Sequence, residues 1–491
     1  MLYITLTKEA TKLERNNIWS TYDAKQLKEM DKICDEYKDF ISTAKTERIC
    51  VSRAIKDAKK AGFKDLDALV KAGKPLKAGD KFYSQLMGKT LILGVIGKET
   101  LENGTNILGA HIDSPRMDLK QNPLYEREDL AYLDTHYYGG IKKYQWVTVP
   151  LALYGVVVKK DGTVIDVAIG DKHEDPVFCV TDLLIHLAAN QMNKKASVVV
   201  EGEALDVLFG GRPALPKDKK KKSKDEETKA TVTANVLNIL MDKYNIEEED
   251  FLSAEIEVVP AGAARDLGID RSMIIGYGQD DRVCAFTSYR AILDIATPKK
   301  TALCVLTDKE EIGSVGATGA ESKFFENTLA EVIALVNSGK KNAPSADLTL
   351  RRCLKNSCML SSDVSAGLDP CYEGVFEKRN AAYLGRGVCF NKYTGARGKS
   401  GSNDANAEYV GKLRKILDDG KIGFQTAELG KVDEGGGGTI AYILANYGMN
   451  VIDCGVAVLS MHSPWEISSK ADVYEAYRAY KVFLDKMDMN K

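Results

Sequence analysis

The chain has 491 residues, of which 44% are hydrophobic and 28% are charged, a composition typical of a globular protein. Because a single hydrophobic core rarely grows beyond roughly 250–300 residues, this length predicts more than one domain. The formal net charge of −2, from 68 basic and 70 acidic residues, gives no electrostatic reason to expect a nucleic acid or an anionic membrane as partner.

Neither a basic segment followed by an apolar core at the N-terminus nor a run of about 18 apolar residues is found in the sequence. We therefore expect a cytoplasmic protein with no secretion signal and no membrane span. The ten cysteines are scattered, and no C-x-x-C pair occurs among them. In a large chain without a secretion signal, this distribution favours free, buried thiols over a disulfide framework.

The first elements along the chain are predicted to be helices. Between residues 23 and 58, apolar side chains recur at spacings of three and four among charged ones, and residues 65–72 are a second helix-prone stretch. Apolar runs at 90–96 and 106–110 then predict strands.

The middle of the chain, residues 115–259, has a different pattern. β-branched runs, such as 146–158 and 196–200, alternate there with turn residues and predict strands. A lysine-rich segment at 216–227 could bind anions, but its acidic neighbours and its lack of interleaved aromatic residues favour a solvated, mobile loop.

Strands and helices alternate again from residue 276 onward. Runs at 301–307 and 450–456 predict buried strands, and the chain closes on an amphipathic helix that Asp472 can cap. This order predicts an α/β fold in which a three-layer domain, with a mixed and largely parallel central sheet, is interrupted by a β-rich domain. The expected boundaries are 1–114 and 263–491 for the interrupted domain and 115–262 for the insertion.

Histidines and acids follow several of the predicted strands. His111 and Asp113 come directly after one apolar run, Asp363 ends another, and His462 follows a third near the C-terminus. Open α/β sheets place their sites beyond the carboxyl ends of strands, so we expect these side chains to converge. The Asp113 carboxylate could also hold the second ring nitrogen of His111 and fix its tautomer. Taken alone, each residue could equally be a loop residue with an incidental neighbour.

Two acidic pairs complete this pattern. Asp280 and Asp281 precede Arg282, where the acids could start an ion-paired helix or Asp280 could bridge two metal ions. Glu310 and Glu311 follow the most strand-like run, where neighbouring acids repel one another unless cations neutralise them. One glutamate can bind a metal ion while its neighbour acts on the bound water. Together with the two histidines, these acids are enough for a hydrolytic site with two divalent ions.

Other catalytic motifs have weaker support. The chain contains no G-x-S-x-G motif, which argues against a serine hydrolase. The glycine run at 435–438 lacks the lysine and the spacing of a phosphate-binding loop. We expect it to let the backbone approach a substrate or a helix closely.

Six motifs along the chain occur in the order found in one known family. They are G-A-H-I-D-S-P, Q-D-D-R, K-E-E-I-G-S, S-S-D, G-G-G-G-T-I and L-S-M-H-S. Over most of its length the chain therefore resembles the aspartyl aminopeptidase family of dinuclear zinc metallopeptidases. The resemblance implies a metal-dependent aminopeptidase that hydrolyses the N-terminal residue from peptides with two divalent ions, zinc first and cobalt or manganese as alternatives.

Two other functions stay open beside this one. The first is a carboxypeptidase or an amide deacylase of the same metallopeptidase clan. The second is a non-enzymatic assembly protein that keeps the fold, although such a protein would have no need for both Glu310 and Glu311.

The resemblance also implies a role for each candidate residue. Five residues would hold the two ions as two histidine–acid pairs with one bridging aspartate: His111 with Asp363, Glu311 with His462, and Asp280 between them. Glu310 would be the general base, and Asp113 would orient the first histidine.

Assembly and specificity are further features that the family implies. The inserted domain would drive dimerisation, and the dimers would build a homo-oligomer, commonly a dodecamer in this family. His186 would reach a neighbouring subunit's active site, whereas its apolar surroundings in the sequence favour a core histidine in a helix. Lys392 would bind an acidic N-terminal side chain of the substrate, and its alternative is a surface lysine at a strand end.

The chain departs from the family in two places. The D-R-D element expected after the Tyr138-Gly139-Gly140 segment is absent, and Gln279 lies where many relatives carry leucine. These departures indicate a bacterial-type branch and leave neutral N-terminal residues open as substrates beside acidic ones.

Overall fold

The structure, a computed structural model, describes residues 17–214, 231–341 and 344–489. The lysine-rich segment at 216–227 lies outside these residues. The described residues form three sheets, and helices cover the largest of them. The predicted mixed α/β fold is therefore confirmed.

The largest sheet has nine strands. Their spatial order is β1 (Lys64–Asp65), β2 (Lys81–Leu86), β3 (Thr90–Val95), β14 (Thr301–Thr307), β4 (Thr105–His111), β15 (Cys358–Ser361), β19 (Asn450–Gly455), β17 (Val388–Asn391) and β18 (Phe424–Thr426). The four central strands β14, β4, β15 and β19 run parallel, and β3 and β17 flank them in the antiparallel direction. Residues that follow the central strands therefore meet at one edge of the sheet.

Helices cover both faces of this sheet. Along β3, Leu91 and Leu93 pack into the core on one face and Ile92 packs into the core on the other, as the two-residue period of a strand requires. The first face is covered by α1 (Ala24–Thr43), α2 (Glu47–Lys60), α6 (Gln279–Leu293), α9 (Ala407–Asp419) and α11 (Lys470–Lys486). The second face is covered by α3 (Leu66–Lys71), α7 (Phe324–Asn337), α8 (Ala346–Lys355) and α10 (Ala441–Ala445).

A seven-stranded antiparallel sheet with its own hydrophobic core lies within residues 115–262. Its order is β8 (Val164–Ile169), β7 (Leu151–Val158), β11 (Ala254–Pro260), β5 (Arg116–Arg127), β6 (Leu130–Tyr138), β10 (Val207–Gly210) and β9 (Cys179–Val180). The same part of the chain contains α4 (Ala189–Met192) and α5 (Val232–Tyr244). A separate core is what an inserted domain requires.

A small five-stranded sheet joins distant parts of the chain. Its order is β12 (Arg265–Leu267), β13 (Met273–Gly276), β21 (Glu466–Ser469), β20 (Ala457–Leu459) and β16 (Ser365–Ala366). Gly276 pairs with Glu466 at the ends of β13 and β21. This pairing brings the segment before Asp280 beside the segment that follows His462.

Two local predictions are wrong. Residues 196–198 form an exposed 3-10 turn rather than a strand, because no neighbouring strand covers their apolar side chains in the described chain. Asp472 does not cap the last helix, since Ser469 occupies the N-cap position. The Asp472 carboxylate instead accepts hydrogen bonds of 2.7 Å from the N–H groups of Gly385 and Gly387.

All ten cysteines lie within the described residues, and each is a free thiol. Most of these thiols are buried, as the sequence predicts. None of the helices in the described part of the chain combines the length and the apolar character needed to span a bilayer.

Candidate metal centre

Three parallel strands deliver candidate residues to one edge of the nine-stranded sheet. His111 is the last residue of β4 and pairs in register with Thr307, the last residue of β14. Glu310 and Glu311 follow β14 in a 3-10 turn, and Asp363 follows β15 on the other side of β4. The structure thus brings together acids and a histidine that lie far apart in the sequence.

Asp280 lies between the two candidate histidines. Its Oδ1 atom is 3.1 Å from Nε2 of His111, and its Oδ2 atom is 3.1 Å from Nε2 of His462. Asp280 has an extended ψ of 110° at the start of α6, so the chain is not yet helical at this residue. One carboxylate therefore faces two imidazoles with separate oxygens, which is the arrangement that a bridging ligand needs.

The donor atoms of the site form overlapping groups in which all atoms lie within 4.8 Å of one another. The groups are His111 with Asp280 and Asp363, Asp280 with Glu311 and His462, and His111 with Glu310 and Glu311. Imidazole nitrogen and carboxylate oxygen are ligands that zinc prefers in proteins. In addition, Oε1 of Glu311 is buried and accepts no hydrogen bond from the described residues. The residues present therefore fit a pair of divalent ions.

Burial and mutual repulsion raise the pKa of several carboxyl groups here. Burial, together with repulsion from Asp280, raises the pKa of Glu310 to about 7 and raises the pKa of Glu311 well above its usual value. Burial and repulsion from Asp281 and Asp280 do the same to the pKa of Asp363. Cations at this position would offset the repulsion and keep the carboxyl groups ionised.

Both histidines are oriented through their Nδ1 atoms. In His111 this atom is 3.0 Å from the backbone oxygen of Asp113 and 3.3 Å from its Oδ1. In His462 it lies 2.9 Å from the carbonyl oxygen of Gly140. Burial lowers the pKa of His462, but hydrogen bonding to Asp280 outweighs it and raises that pKa to about 10. Both rings thus direct Nε2 toward Asp280, as ligands held by second contacts do.

Glu466 is a site residue that sequence reasoning did not assign. Its Oε1 accepts the N–H of His462 at 2.7 Å, and its Oε2 accepts the N–H of Asp280 at 3.1 Å. It therefore fixes the main chain of two candidate ligands at once. In the sequence, its only signal was that it follows His462 closely.

A cavity of about 530 Å³ opens over the site. Its walls include four of the five candidate ligands, the general-base candidate and part of the glycine run: Asp280, Glu310, Glu311, Asp363, His462 and Gly436 to Gly438. At Gly436, where φ is +139°, a Cβ atom would lie 2.5 Å from the backbone of Gly395 and Ala396. Glycine is therefore needed for these two loops to approach each other, and the space suits the first residues of a peptide.

His186 is not among the residues that line this cavity. It lies in an exposed 3-10 turn, Ile185–Leu187. The neighbouring Leu184 and Leu187 side chains are 58% and 71% exposed. The interpretation as a core histidine in an apolar helix is therefore wrong.

Lys392 also lies outside the cavity lining. It follows β17, and its Nζ atom donates a hydrogen bond of 2.7 Å to Oδ1 of Asp404. Its side chain is half exposed. Within the described chain, neither Lys392 nor His186 reaches the metal centre.

Known proteins closely resemble this chain in sequence and structure. The model of the family described as aminopeptidase I zinc metalloprotease (M18) matches residues 40–484. A probable M18 family aminopeptidase 1 of Clostridium acetobutylicum is 59% identical over 472 residues, which cover 96% of this chain and 98% of that protein.

Solved structures agree with this match. The crystal structure of the M18 aminopeptidase of Thermotoga maritima has a TM-score of 0.89 at 44% identity and covers 97% of this chain and 100% of that one. Aminopeptidase I of Clostridium acetobutylicum has a TM-score of 0.85 at 58% identity, with coverage of 96% and 99%. The S. cerevisiae mApe1 dodecamer shares the fold, with a TM-score of 0.73 at 21% identity over 93% of this chain and 97% of that one.

These matches confirm the metal-dependent aminopeptidase activity and favour it over the carboxypeptidase, deacylase and non-enzymatic alternatives. The chain belongs to the M18 family of zinc metalloprotease aminopeptidases.

Proposed function

We propose that this aminopeptidase works with two divalent ions per chain, zinc in the first place. His111 and Asp363 would hold one ion, Glu311 and His462 the other, and Asp280 would bridge them. One observation carries this proposal. Two groups of donor atoms share Asp280, and within each group the atoms lie within 4.8 Å of one another. Cobalt and manganese accept the same donor atoms and are the alternatives.

Glu310 is the proposed general base. Bound divalent ions lower the pKa of water and polarise a carbonyl oxygen. Glu310 lines the cavity and is not needed in either of the donor groups that share Asp280. Its carboxylate takes a proton from the water that attacks the scissile carbonyl carbon, and it returns this proton to the amine that leaves as the peptide bond breaks.

Asp113 is the proposed support of this arrangement. Its carboxylate accepts hydrogen bonds of 3.2 Å from the N–H groups of both Glu310 and Glu311, and it lies beside Nδ1 of His111. Asp113 would therefore hold the turn of Glu310 and Glu311 and the ring of His111 in fixed relative positions.

The proposed substrates are peptides with acidic or neutral N-terminal residues. A buried carboxylate of the substrate needs a cationic partner, and Lys392 is the candidate. Because Lys392 is paired with Asp404 in this chain, an acidic substrate would have to compete with Asp404 for the ammonium group.

We place residues 115–262 in a dimerisation domain of a cytoplasmic homo-oligomer, with a dodecamer built from dimers as its largest form. Exposed apolar surface often marks a protein interface, and the segment around His186 exposes Leu183, Leu184, Ile185 and Leu187. A partner subunit that covered this segment would contact His186. The fold shared with the mApe1 dodecamer supports the same assembly.

A substrate assay with controlled metal content tests the proposal. The purified chain should contain about two divalent ions, and it should cleave aminoacyl chromogenic substrates but not their N-acetylated forms. Chelation should abolish activity, and zinc, cobalt or manganese should restore it. Full activity in a preparation shown to be free of metal, or cleavage of the blocked substrates at the same rate, would refute it.

A further inference from the structure

The end of strand β6 reaches from the seven-stranded sheet into the metal centre. Tyr138, its last residue, is buried, and its hydroxyl group donates a hydrogen bond of 2.9 Å to Oδ2 of Asp113. Two residues later the carbonyl oxygen of Gly140 faces Nδ1 of His462. Between them lies Gly139, where a Cβ atom would lie 3.2 Å from Oε2 of Glu311. This short segment therefore touches both halves of the proposed site.

Asp113 links Tyr138 to the candidate metal site. The carboxylate is fully buried, and each of its oxygens accepts one N–H from the turn of Glu310 and Glu311. The Tyr138 hydroxyl is a further donor to this carboxylate, and it comes from a different sheet. A hydrogen bond to an ionised carboxylate is stronger than one between neutral groups, so the hydroxyl contributes to the orientation of Asp113.

The Tyr138 ring is itself held in place. The guanidinium group of Arg116 lies 4.0 Å from the ring centroid. Arg116 is buried among carboxylates of both domains: it lies 3.6 Å from Glu47 on α2 and 3.2 Å from Glu257 on β11. The hydroxyl group therefore projects from an anchored ring, as a positioning group must.

We propose that Tyr138 is a positioning residue for the metal centre, acting through Asp113 on His111 and on the turn of Glu310 and Glu311. This inference rests on the two-ion site proposed above. It also gives the inserted domain a part in catalysis, because the hydroxyl group comes from that domain. Residues that orient metal ligands typically change metal affinity or activity 10–100-fold when they are substituted.

The variant Tyr138→Phe tests the proposal, since it removes the hydroxyl group and keeps the ring that contacts Arg116. We expect the zinc dissociation constant, measured by competition with a chromophoric chelator, to rise about 10-fold. With zinc saturating, kcat should fall by about 10-fold while KM changes less than about 2-fold, because the loss falls on the catalytic geometry and not on substrate binding. The visible absorption spectrum of the cobalt-loaded protein should also change.

The matched control is Tyr125→Phe. Tyr125 lies on β5 of the same sheet and donates a hydrogen bond of 2.6 Å to Asp206, away from the site. This variant should leave zinc affinity, kcat and the cobalt spectrum unchanged. Equal effects in the two phenylalanine variants would mean that Tyr138 merely stabilises the sheet, and the proposal would fail.

A double-mutant cycle with Asp113→Asn decides whether Tyr138 acts through Asp113. In the asparagine background, Tyr138→Phe should change zinc affinity less than about 3-fold, because the charge that the hydroxyl supports is already gone. Independent effects that multiply would overturn the proposed route. If the wild-type protein binds metal normally and Tyr138→Phe matches it, only this inference fails; if the wild type binds no metal, the two-ion site fails.

Discussion

The Oε2 atom of Glu310 lies 4.0 Å from Nε2 of His111. Its neighbour Glu311 faces the other histidine instead, with Oε1 3.5 Å from Nε2 of His462. Two consecutive glutamates in one 3-10 turn therefore face different histidines of the site. Adjacent residues with separate positions can have separate chemical roles, and substitution can distinguish them.

Glu310→Gln should keep the bound metal and the fold but lower kcat by on the order of 10² or more, because it removes the proposed general base. Glu311→Gln should instead release metal, because an amide is a poorer ligand than a carboxylate. Metal content by elemental analysis and kcat at saturating zinc measure the two effects. Exchanged phenotypes would show that the roles of the two glutamates are reversed.

Mixed oligomers test the role of His186. If His186 completes the site of a neighbouring subunit, mixing inactive His186→Ala subunits with inactive Glu310→Gln subunits should restore part of the activity, since some sites would contain both residues. Differently tagged subunits, purified through both tags, provide verified mixed oligomers. His173→Ala, a substitution of another histidine of the same domain, serves as the control and should stay active alone. Verified mixed oligomers without recovery would exclude the role of His186 in a neighbouring site.

Lys392→Ala should selectively impair the cleavage of acidic N-terminal residues. The preference for glutamyl over leucyl substrates should fall by roughly 10-fold or more, because an acidic substrate would lose the cation proposed to pair with its carboxylate. The measurement is kcat/KM for both substrates. Lys415→Ala, which removes a surface ion pair with Asp419, is the matched control. An equal fall for both substrates would mean that Lys392 supports the site in general.

Asp266 should contribute stability that depends on pH. Its carboxylate binds Lys38 of α1 and Lys470 of α11 at 2.6 and 2.9 Å. Burial opposes ionisation, but hydrogen bonds from these lysines and from Arg271 outweigh burial and lower the pKa of Asp266. The stabilisation is therefore present above the unfolded-state pKa of about 4 and is lost as the pH falls through the lower folded-state value.

Asp266→Asn should accordingly destabilise the protein by about 3 kcal/mol near pH 7, since it removes the carboxylate that Lys38, Lys470 and Arg271 share. The difference in Tm from wild type should shrink as the pH is lowered below about 4. The measurements are made in a chelator so that metal release does not contribute. Asp35→Asn, at the exposed pair with the same Lys38, is the control. A constant difference in Tm at all pH values would contradict the electrostatic explanation.

Much of the candidate site could be predicted from the sequence because its signals are local. A central strand is buried on both faces, so its sequence is a run of consecutive apolar residues, and the last residue of the run marks the end of the strand. His111, Glu310 and Asp363 lie just beyond such runs, and parallel strands end at a common edge. The helical faces of α1 and α11 were predictable for the same reason, since their apolar spacing follows one side of a helix.

The contacts that orient these residues could not be predicted in this way. Tyr138 comes from another sheet, Glu466 from a third, and Asp472 binds two distant glycine N–H groups where its sequence suggested a helix cap. The sequence by itself thus determined which side chains end the central strands, because burial imposes a local pattern. Only the tertiary structure decided which groups hold those side chains, because a hydrogen bond between sheets depends on how the sheets pack and leaves no periodic trace in either segment.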